Sequence, residues 1–163
     1  MHSLNSLLFV LALVAAVGSG VVGGTFLAFS SFVMRALSRV SAPAGIIAMQ
    51  SINVAVLTSV FLGLFVGTAA VAFGLAVLAL VHWRAPVSPL LLLGSLSYLI
   101  GTFLITGTRN VPRNQALARI DVSDPEAVGH WHRYLAEWTC WNHVRTVAAI
   151  AASMLFALAL ARL

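Results

Sequence analysis

The strongest constraint on this chain is the length of its uncharged segments. No Asp, Glu, Lys or Arg occurs before Arg35, and none lies between Arg39 and Arg84 or between Arg84 and Arg109. Only 8% of the 163 residues are charged and 61% are hydrophobic, whereas a soluble domain carries about 25% charged residues. These charges are too few to cover a surface that faces water on all sides. The sequence therefore excludes a soluble globule and predicts a protein surrounded by lipid.

The uncharged segments predict an all-α, integral membrane four-helix bundle that forms one domain over residues 1–163. A spanning helix needs about 20 mostly apolar residues, and the expected helices cover about 7–37, 45–82, 89–107 and 125–161. The second helix is expected to be long, with Gln50 and Asn53 in a polar foot. The first apolar segment is longer than a signal sequence and follows no Arg or Lys, so we expect it to be retained.

The last helix has the best-marked start. Asp124 is a suitable cap, Pro125 suits the first helical position, and Glu126 complements the helix dipole. The helix would be about 55 Å long at 1.5 Å rise per residue, which exceeds the bilayer's hydrocarbon core of about 30 Å. We therefore expect its first part, up to about Glu137, to project beyond the bilayer. Four aromatic side chains are expected at the boundary: Trp131, Tyr134, Trp138 and Trp141.

Charge distribution predicts an orientation and excludes one class of partner. All nine basic residues are arginines, and six of them follow the first or third helix, which places those connections in the cytoplasm and both termini outside. Arginines scattered singly do not form the basic stripe of a nucleic-acid-binding protein. We expect a bacterial inner-membrane protein whose main partner is the lipid bilayer. The single Cys140 excludes an internal disulfide.

Small residues spaced four apart predict close helix packing in lipid. They occur in the first three helices, at Ala16, Gly20 and Gly24, at Gly63 and Gly67, and at Ser97 and Gly101. Their abundance in the chain offers a second explanation for the spacing. A homo-oligomer remains open.

Polar side chains gather near one predicted membrane face, where their burial cost makes them candidates for function. On the last helix, Trp131, Trp138, Asn142 and Arg145 fall within one stripe at 100° per residue. His132 and His143 share another direction but lie about 16 Å apart along the axis, so they cannot chelate one ion. The other candidates are Gln50 and Asn53 on the second helix, and Asn110 and Asn114 in the connection after the third helix.

Each candidate also has a structural explanation. The tryptophans can anchor the helix at the interface, Arg145 can reach the headgroups, and Gln50 and Asn53 can join helices. His143 favours function, because a neutral imidazole at the membrane boundary can accept a proton near physiological pH. No cofactor is predicted. A metal or haem site that combines His143 with other helices is an open alternative.

Three segments resemble one known family. They are Trp138-Thr-Cys-Trp-Asn-His-Val-Arg145, Asn110-Val-Pro-Arg-Asn114 and Met49-Gln-Ser-Ile-Asn53. Together with the Gly-rich first helix they resemble the anthrone oxygenase family of small four-helix membrane proteins, over essentially the whole chain. The resemblance implies oxidation of anthrones to anthraquinones, as is linked with fungal members.

The resemblance leads to a hypothesis of an oxidase or oxygenase that acts on a flat, apolar, anthrone-like, polyketide or quinol-type substrate with dioxygen. His143 would be the base, and Arg145 and Asn142 would stabilise the oxyanion. Asn110 and Asn114 would orient the substrate. Trp138, Trp141, Gln50 and Asn53 are further candidate contacts. The alternatives are a non-catalytic membrane binding or accessory protein and, less favoured because polar groups are sparse in the first three helices, a small transporter.

Overall fold

The computed structural model describes residues 2–163, and among these residues there are five helices and no strand. Helix α1 covers His2–Ala28 and continues through a π-helical turn, Phe29–Val33, into Met34–Leu37. Helix α2 covers Ala42–Leu57, and α3 covers Val60–Val81.

Helix α4 contains two further π-helical segments. It begins with Val87–Leu96, passes through Ser97–Leu104 and Thr106–Asn110 in π-helical form, and ends with Val111–Leu117. Helix α5 is a single α-helix over Ala127–Leu160.

Four of the helices, α1, α3, α4 and α5, are long and apolar enough to cross a membrane. Many large apolar side chains lie exposed on their outer faces, for example Phe9, Phe73 and Met154. Such a surface is costly in water and suits lipid. The chain is therefore a membrane protein, and the predicted all-α bundle of four apolar helices is confirmed.

The second predicted helix, 45–82, is two helices in the structure. Helix α2 ends at Leu57 and α3 begins at Val60, with Thr58 and Ser59 between them. The Thr58 N–H bonds to Ala55 O, and the Ser59 side chain bonds to Val56 O. Local hydroxyl bonds of this kind compete with continued helix formation, and a hydropathy pattern does not reveal them.

The third predicted helix, 89–107, extends in the structure to Leu117 and begins at Val87. Proline removes one backbone donor and disfavours helical geometry in the residue before it. Here the helix passes Pro112 directly after its second π-helical segment. The polar residues from Thr106 to Asn114 thus belong to a helix rather than to a loop.

Helix α5 begins later than predicted, at Ala127 rather than Pro125. Asp124 accepts a hydrogen bond from the Glu126 N–H at 2.8 Å, so its side chain stabilises the turn before the helix. With 34 residues, α5 is about 51 Å long and longer than the hydrocarbon core of about 30 Å.

The buried apolar residues form two clusters, each beside a different part of α5. The larger, the membrane core, joins α1, α3, α4 and the second half of α5 around Phe65, Leu75, Tyr98 and Phe156. The smaller, which we call the cap core, joins α2 to the ends of α1 and α4 and to the first turns of α5. Its members are Met34, Ile46, Met49, Leu117, Ala127, Trp131, Tyr134 and Trp138.

Close packing at small residues follows the prediction in part. A Cβ atom at Gly101 would lie 2.5 Å from the Ala148 side chain, and one at Gly20 would lie 3.2 Å from Ser153 Oγ. Gly24, Gly63 and Gly67 have nothing within 4 Å of such an atom, so the predicted close packing at these three glycines is wrong. Helix α3 packs through its opposite face, where Ala69 and Ala72 are buried.

Candidate functional site

Where α1, α4 and α5 meet, polar side chains form a hydrogen-bonded group that we call the buried polar cluster. Its members are Ser30, Thr106, Asn142, Arg145 and Thr146. The Asn142 Nδ2 donates to Phe26 O at 2.8 Å and to Ser30 Oγ at 2.7 Å, and Arg145 Nε donates to Asn142 Oδ1 at 3.0 Å. Asn142 therefore links the arginine to the first helix.

The guanidinium of Arg145 lies over two aromatic rings. Its Cζ lies 4.1 Å from the centre of the Phe26 ring and 4.8 Å from that of Trp138. Nη1 is 3.4 Å from Thr106 Oγ1. The residue is 5% exposed, and among residues 2–163 no carboxylate lies within ion-pair distance of it. Aromatic faces and neutral oxygens thus take the place of a counter-ion.

All three π-helical segments border this cluster. Ser30 belongs to the π-helical turn of α1, and Thr106 belongs to the second π-helical segment of α4. Thr102, in the first segment, donates to Arg145 O at 3.3 Å. π-helical turns widen a helix locally and are frequent at functional sites. The irregular backbone of α1 and α4 is therefore concentrated where it directs hydroxyls toward α5.

The asparagines of α4 bind the aromatic residues of α5. Asn114 Oδ1 accepts hydrogen bonds from Tyr134 Oη at 3.0 Å and from Trp138 Nε1 at 2.8 Å. Asn110 Nδ2 donates to Trp138 O at 3.2 Å, while its buried Oδ1 has no partner. The rings of Trp131, Tyr134 and Trp138 stack in sequence, with centroids 5.7 and 6.1 Å apart.

This stack corrects one expectation. Trp131 and Trp138 are 1% and 4% exposed, so they are packed inside the cap core rather than placed at the membrane boundary as anchors. The i, i+3, i+7 spacing of the three rings puts them on one side of α5, and α2 and α4 cover that side.

The remaining predicted contacts lie elsewhere. Gln50 Nε2 donates to Leu117 O at 2.9 Å and thereby caps the end of α4. The Asn53 side chain adjoins the Tyr134 hydroxyl, and its buried Nδ2 has no partner. Trp141 is half-buried beneath the Arg109 guanidinium, at 4.7 Å.

On another side of α5 an open groove of about 570 Å³ lies against the last turns of α1. Its volume is within the range of small-molecule sites, about 300–1,000 Å³. It is lined by Ser30, Ser31, Met34, Arg35, Ser38, His132, Leu135, Ala136, Thr139, Cys140 and His143. The shared direction predicted for His132 and His143 is confirmed, because both histidines line this groove.

The predicted site residues therefore divide into two groups. Asn142 and Arg145 are buried and point toward α1 and α4, whereas His143 is exposed in the groove. Successive residues of a helix differ in direction by 100°, so neighbours in sequence point to different faces. The hydrogen bond from Asn142 to Ser30, a residue that also lines the groove, connects the two groups.

Sequence reasoning missed the α1 wall of the groove. Ser31, Arg35 and Ser38 follow an i, i+4, i+7 spacing, which places them on one side of a helix. This spacing could have identified the α1 wall from the sequence. The three residues directly follow a long apolar segment, which indicated only a membrane-spanning helix.

The acidic residues of the chain all lie between Asp121 and Glu137. Arg113 Nη2 and Glu137 Oε2 form an ion pair at 2.8 Å. In the connection before α5, hydrogen bonds from the Ser123 N–H and hydroxyl hold the pKa of Asp121 below its ordinary value. Among the side chains of residues 4–163, His, Cys, Asp and Glu do not form a group of three that could hold a metal ion.

Comparison with known proteins gives one match. A family model described as anthrone oxygenase matches residues 56–155, which include α3, α4, the asparagines of α4 and most of α5. No curated protein and no solved structure matches the chain significantly. The matched segment is more than half of the chain and contains Asn142, His143 and Arg145. The chain therefore belongs to the anthrone oxygenase family, which supports a membrane oxygenase-like role in general.

Proposed function

We propose that this protein oxidises a flat, apolar, anthrone-type substrate with dioxygen, and that the groove between α1 and α5 is the reaction site. The observation that carries the proposal is the position of His143. The histidine is exposed in the groove, while Ser30 in the same groove is hydrogen-bonded to Asn142 and, through it, to Arg145. The proposed base therefore borders the groove, and the charge of Arg145 is connected to the same groove through Asn142 and Ser30.

The groove suits a substrate that arrives from the bilayer. Met34, Leu135 and Ala136 provide apolar contact, and serine and threonine hydroxyls provide hydrogen bonds. A mostly apolar wall with a few polar groups is the usual composition of a small-molecule site. An apolar aromatic molecule concentrates in lipid, so we expect the substrate to reach the groove from the bilayer.

His143 is the proposed base. The imidazole takes a proton from the acidic CH₂ group of the substrate, and the electrons of the C–H bond remain on the substrate as an enolate. The enolate carbon then bonds to dioxygen. A proton converts the resulting peroxide to a hydroperoxide, which loses water and leaves a carbonyl. One oxygen atom enters the product and the other leaves as water, so the substrate and dioxygen balance the reaction without a further reductant.

The buried polar cluster is the proposed source of anion stabilisation. Arg145 is buried and lies over two aromatic rings, so it acts through its charge and through Asn142 and Ser30 rather than by direct contact with the substrate. A fixed positive charge in surroundings of low dielectric stabilises a developing oxyanion more strongly than it would in water. Asn110 and Asn114 are occupied by α5 in this arrangement and contribute by holding Trp138.

Oxygen uptake with a hydroxyanthrone tests the proposal. Purified protein in mild detergent should consume oxygen faster than the detergent buffer alone, and His143→Ala should lose that activity and remain folded. The matched control is His130→Ala, since His130 lies on the same helix but outside the groove. General-base catalysis typically contributes about 10²- to 10⁴-fold, so the loss should be of that order.

Three results would overturn the proposal. The first is full turnover by a folded His143→Ala variant. The second is no substrate-dependent uptake by the natural protein, which favours a non-catalytic membrane protein. The third is stoichiometric iron, copper or haem in the purified protein, detected by metal analysis and absorption spectroscopy. That result would make His143 a candidate ligand.

A further inference from the structure

The groove between α1 and α5 has one permanently charged side chain, Arg35. None of the other lining residues is an acid. In the part of the chain that the structure describes, no Asp or Glu lies within ion-pair distance of Arg35. By contrast, Arg113 forms an ion pair with Glu137, so its charge is paired within the protein. The charge of Arg35 is thus available to a ligand in the groove.

The two helices that form the groove fix where this charge lies relative to His143. Ser30 is bonded to Asn142, so it marks the level of His143 on α5. Arg35 lies about 7.5 Å further along α1 than Ser30. Because α1 and α5 run in opposite directions here, Arg35 lies between the levels of His143 and His132.

We propose that Arg35 recognises an acidic substituent, a carboxylate or a phenolate, on the aromatic substrate. The substrate class is then a flat aromatic acid rather than a neutral hydrocarbon-like molecule. This inference rests on the proposed function for the identity of the groove as the substrate site. The acidic group would lie at Arg35, and the reacting carbon would lie toward His143, deeper along the groove.

Charge and shape both favour this occupant. A guanidinium binds a carboxylate through two parallel hydrogen bonds, and such charge-assisted bonds are stronger and more directional than neutral ones. The groove combines apolar side chains with a cation and hydroxyl groups, which matches a molecule with an apolar body and one acidic edge. An anionic lipid headgroup shares the chemistry of the acidic edge, so the experiment must separate the two sources.

Equilibrium binding tests the proposal without turnover. The probes are anthraquinone-2-carboxylate and neutral anthraquinone, titrated into protein in nanodiscs of phosphatidylcholine. The natural protein should bind the carboxylate about tenfold more tightly, after correction for partition of each probe into protein-free nanodiscs. Arg35→Gln should remove this preference. The matched control is Arg39→Gln, because Arg39 lies one turn further along the chain, is exposed, and does not line the groove.

Three outcomes would overturn the proposal. They are equal binding of both probes by the natural protein, an equal loss of preference in Arg39→Gln, and a preference unchanged in Arg35→Gln. If nanodiscs that contain phosphatidylglycerol remove the preference in the natural protein, the lipid headgroup is the occupant and the proposal also fails. Failure of the proposed function is separate, since His143→Ala should keep the carboxylate preference while it loses oxygen uptake.

Discussion

The polar residues on two sides of α5 differ in whether the protein supplies their hydrogen-bond partners. On one side Asn142 and Arg145 are buried and hydrogen-bonded to each other, and α1 and α4 supply further partners. On the other side His132 and His143 are exposed in a groove, and neither has a hydrogen-bond partner among residues 2–163. A polar group whose partners all come from the protein holds helices together. A polar group without such partners is available to a ligand.

The difference assigns separate tasks to residues that are adjacent in sequence. Transferring a polar group from water into an apolar interior is unfavourable unless hydrogen bonds compensate for it. The buried polar cluster supplies such hydrogen bonds to Arg145 at Nε and Nη1. His143 has the reverse properties: its side chain is exposed and contributes little to packing.

The largest effect on stability is expected from Asn142→Ala. The substitution leaves the buried Arg145 without its Nε acceptor and leaves Phe26 O and Ser30 without a donor, because all three contacts converge on one amide. Loss of a partner from a buried charged group costs about 3 kcal/mol. Thermal unfolding in detergent should show a large fall in Tm.

His143→Ala is the matched control for that measurement. Its side chain is exposed, so the free energy of unfolding should change by about 0.5 kcal/mol or less. Similar Tm values for the two variants would contradict the division of α5 into a packing side and a ligand side.

Helical periodicity predicted that division in part. The stripe of Trp131, Trp138, Asn142 and Arg145 follows from 100° per residue, and all four side chains are buried. Periodicity does not indicate which neighbouring helix packs against that stripe. Asn114, for which the sequence predicted substrate contact, is hydrogen-bonded to Tyr134 and Trp138 in the packed bundle.

The features that sequence reasoning missed depend on contacts between distant segments. The π-helical turns at Phe29–Val33 and Thr106–Asn110 have no local composition signal, and both occur where α1 and α4 approach α5. The groove likewise requires α1 and α5 to be side by side. A single helix pattern can identify which residues share a direction, whereas the partner on that side follows only from the packed bundle.

A smaller effect on stability is expected when alanine replaces either of two glycines, one on a buried helix face and one on an exposed face. A Cβ at Gly45 would lie 2.6 Å from the Trp131 ring, whereas one at Gly63 would have nothing within 4 Å. Gly45→Ala should destabilise the protein by about 1–3 kcal/mol through overpacking of the cap core. Gly63→Ala should be neutral or stabilising by about 0.5–1 kcal/mol, because alanine favours a helix. Tm measurements on both variants check this, and destabilisation by Gly63→Ala would show that α3 has a partner on that face.

The smallest effect is expected where both members of an interaction are near the surface. The side chains of Arg113 and Glu137 are 25% and 46% exposed, and their ion pair is 2.8 Å long. Water competes for such a pair and salt screens it, so its contribution is about 0.2–1 kcal/mol. Glu137→Gln should lower Tm slightly at low ionic strength, and the difference from the natural protein should shrink in high salt. The loss caused by Asn142→Ala should persist at both salt concentrations, since the buried polar cluster is screened much less. A salt-independent effect of Glu137→Gln would contradict this expectation, because it would mean that the pair is shielded from water as Arg145 is. The buried polar side of α5 would then extend to the first turns of the helix.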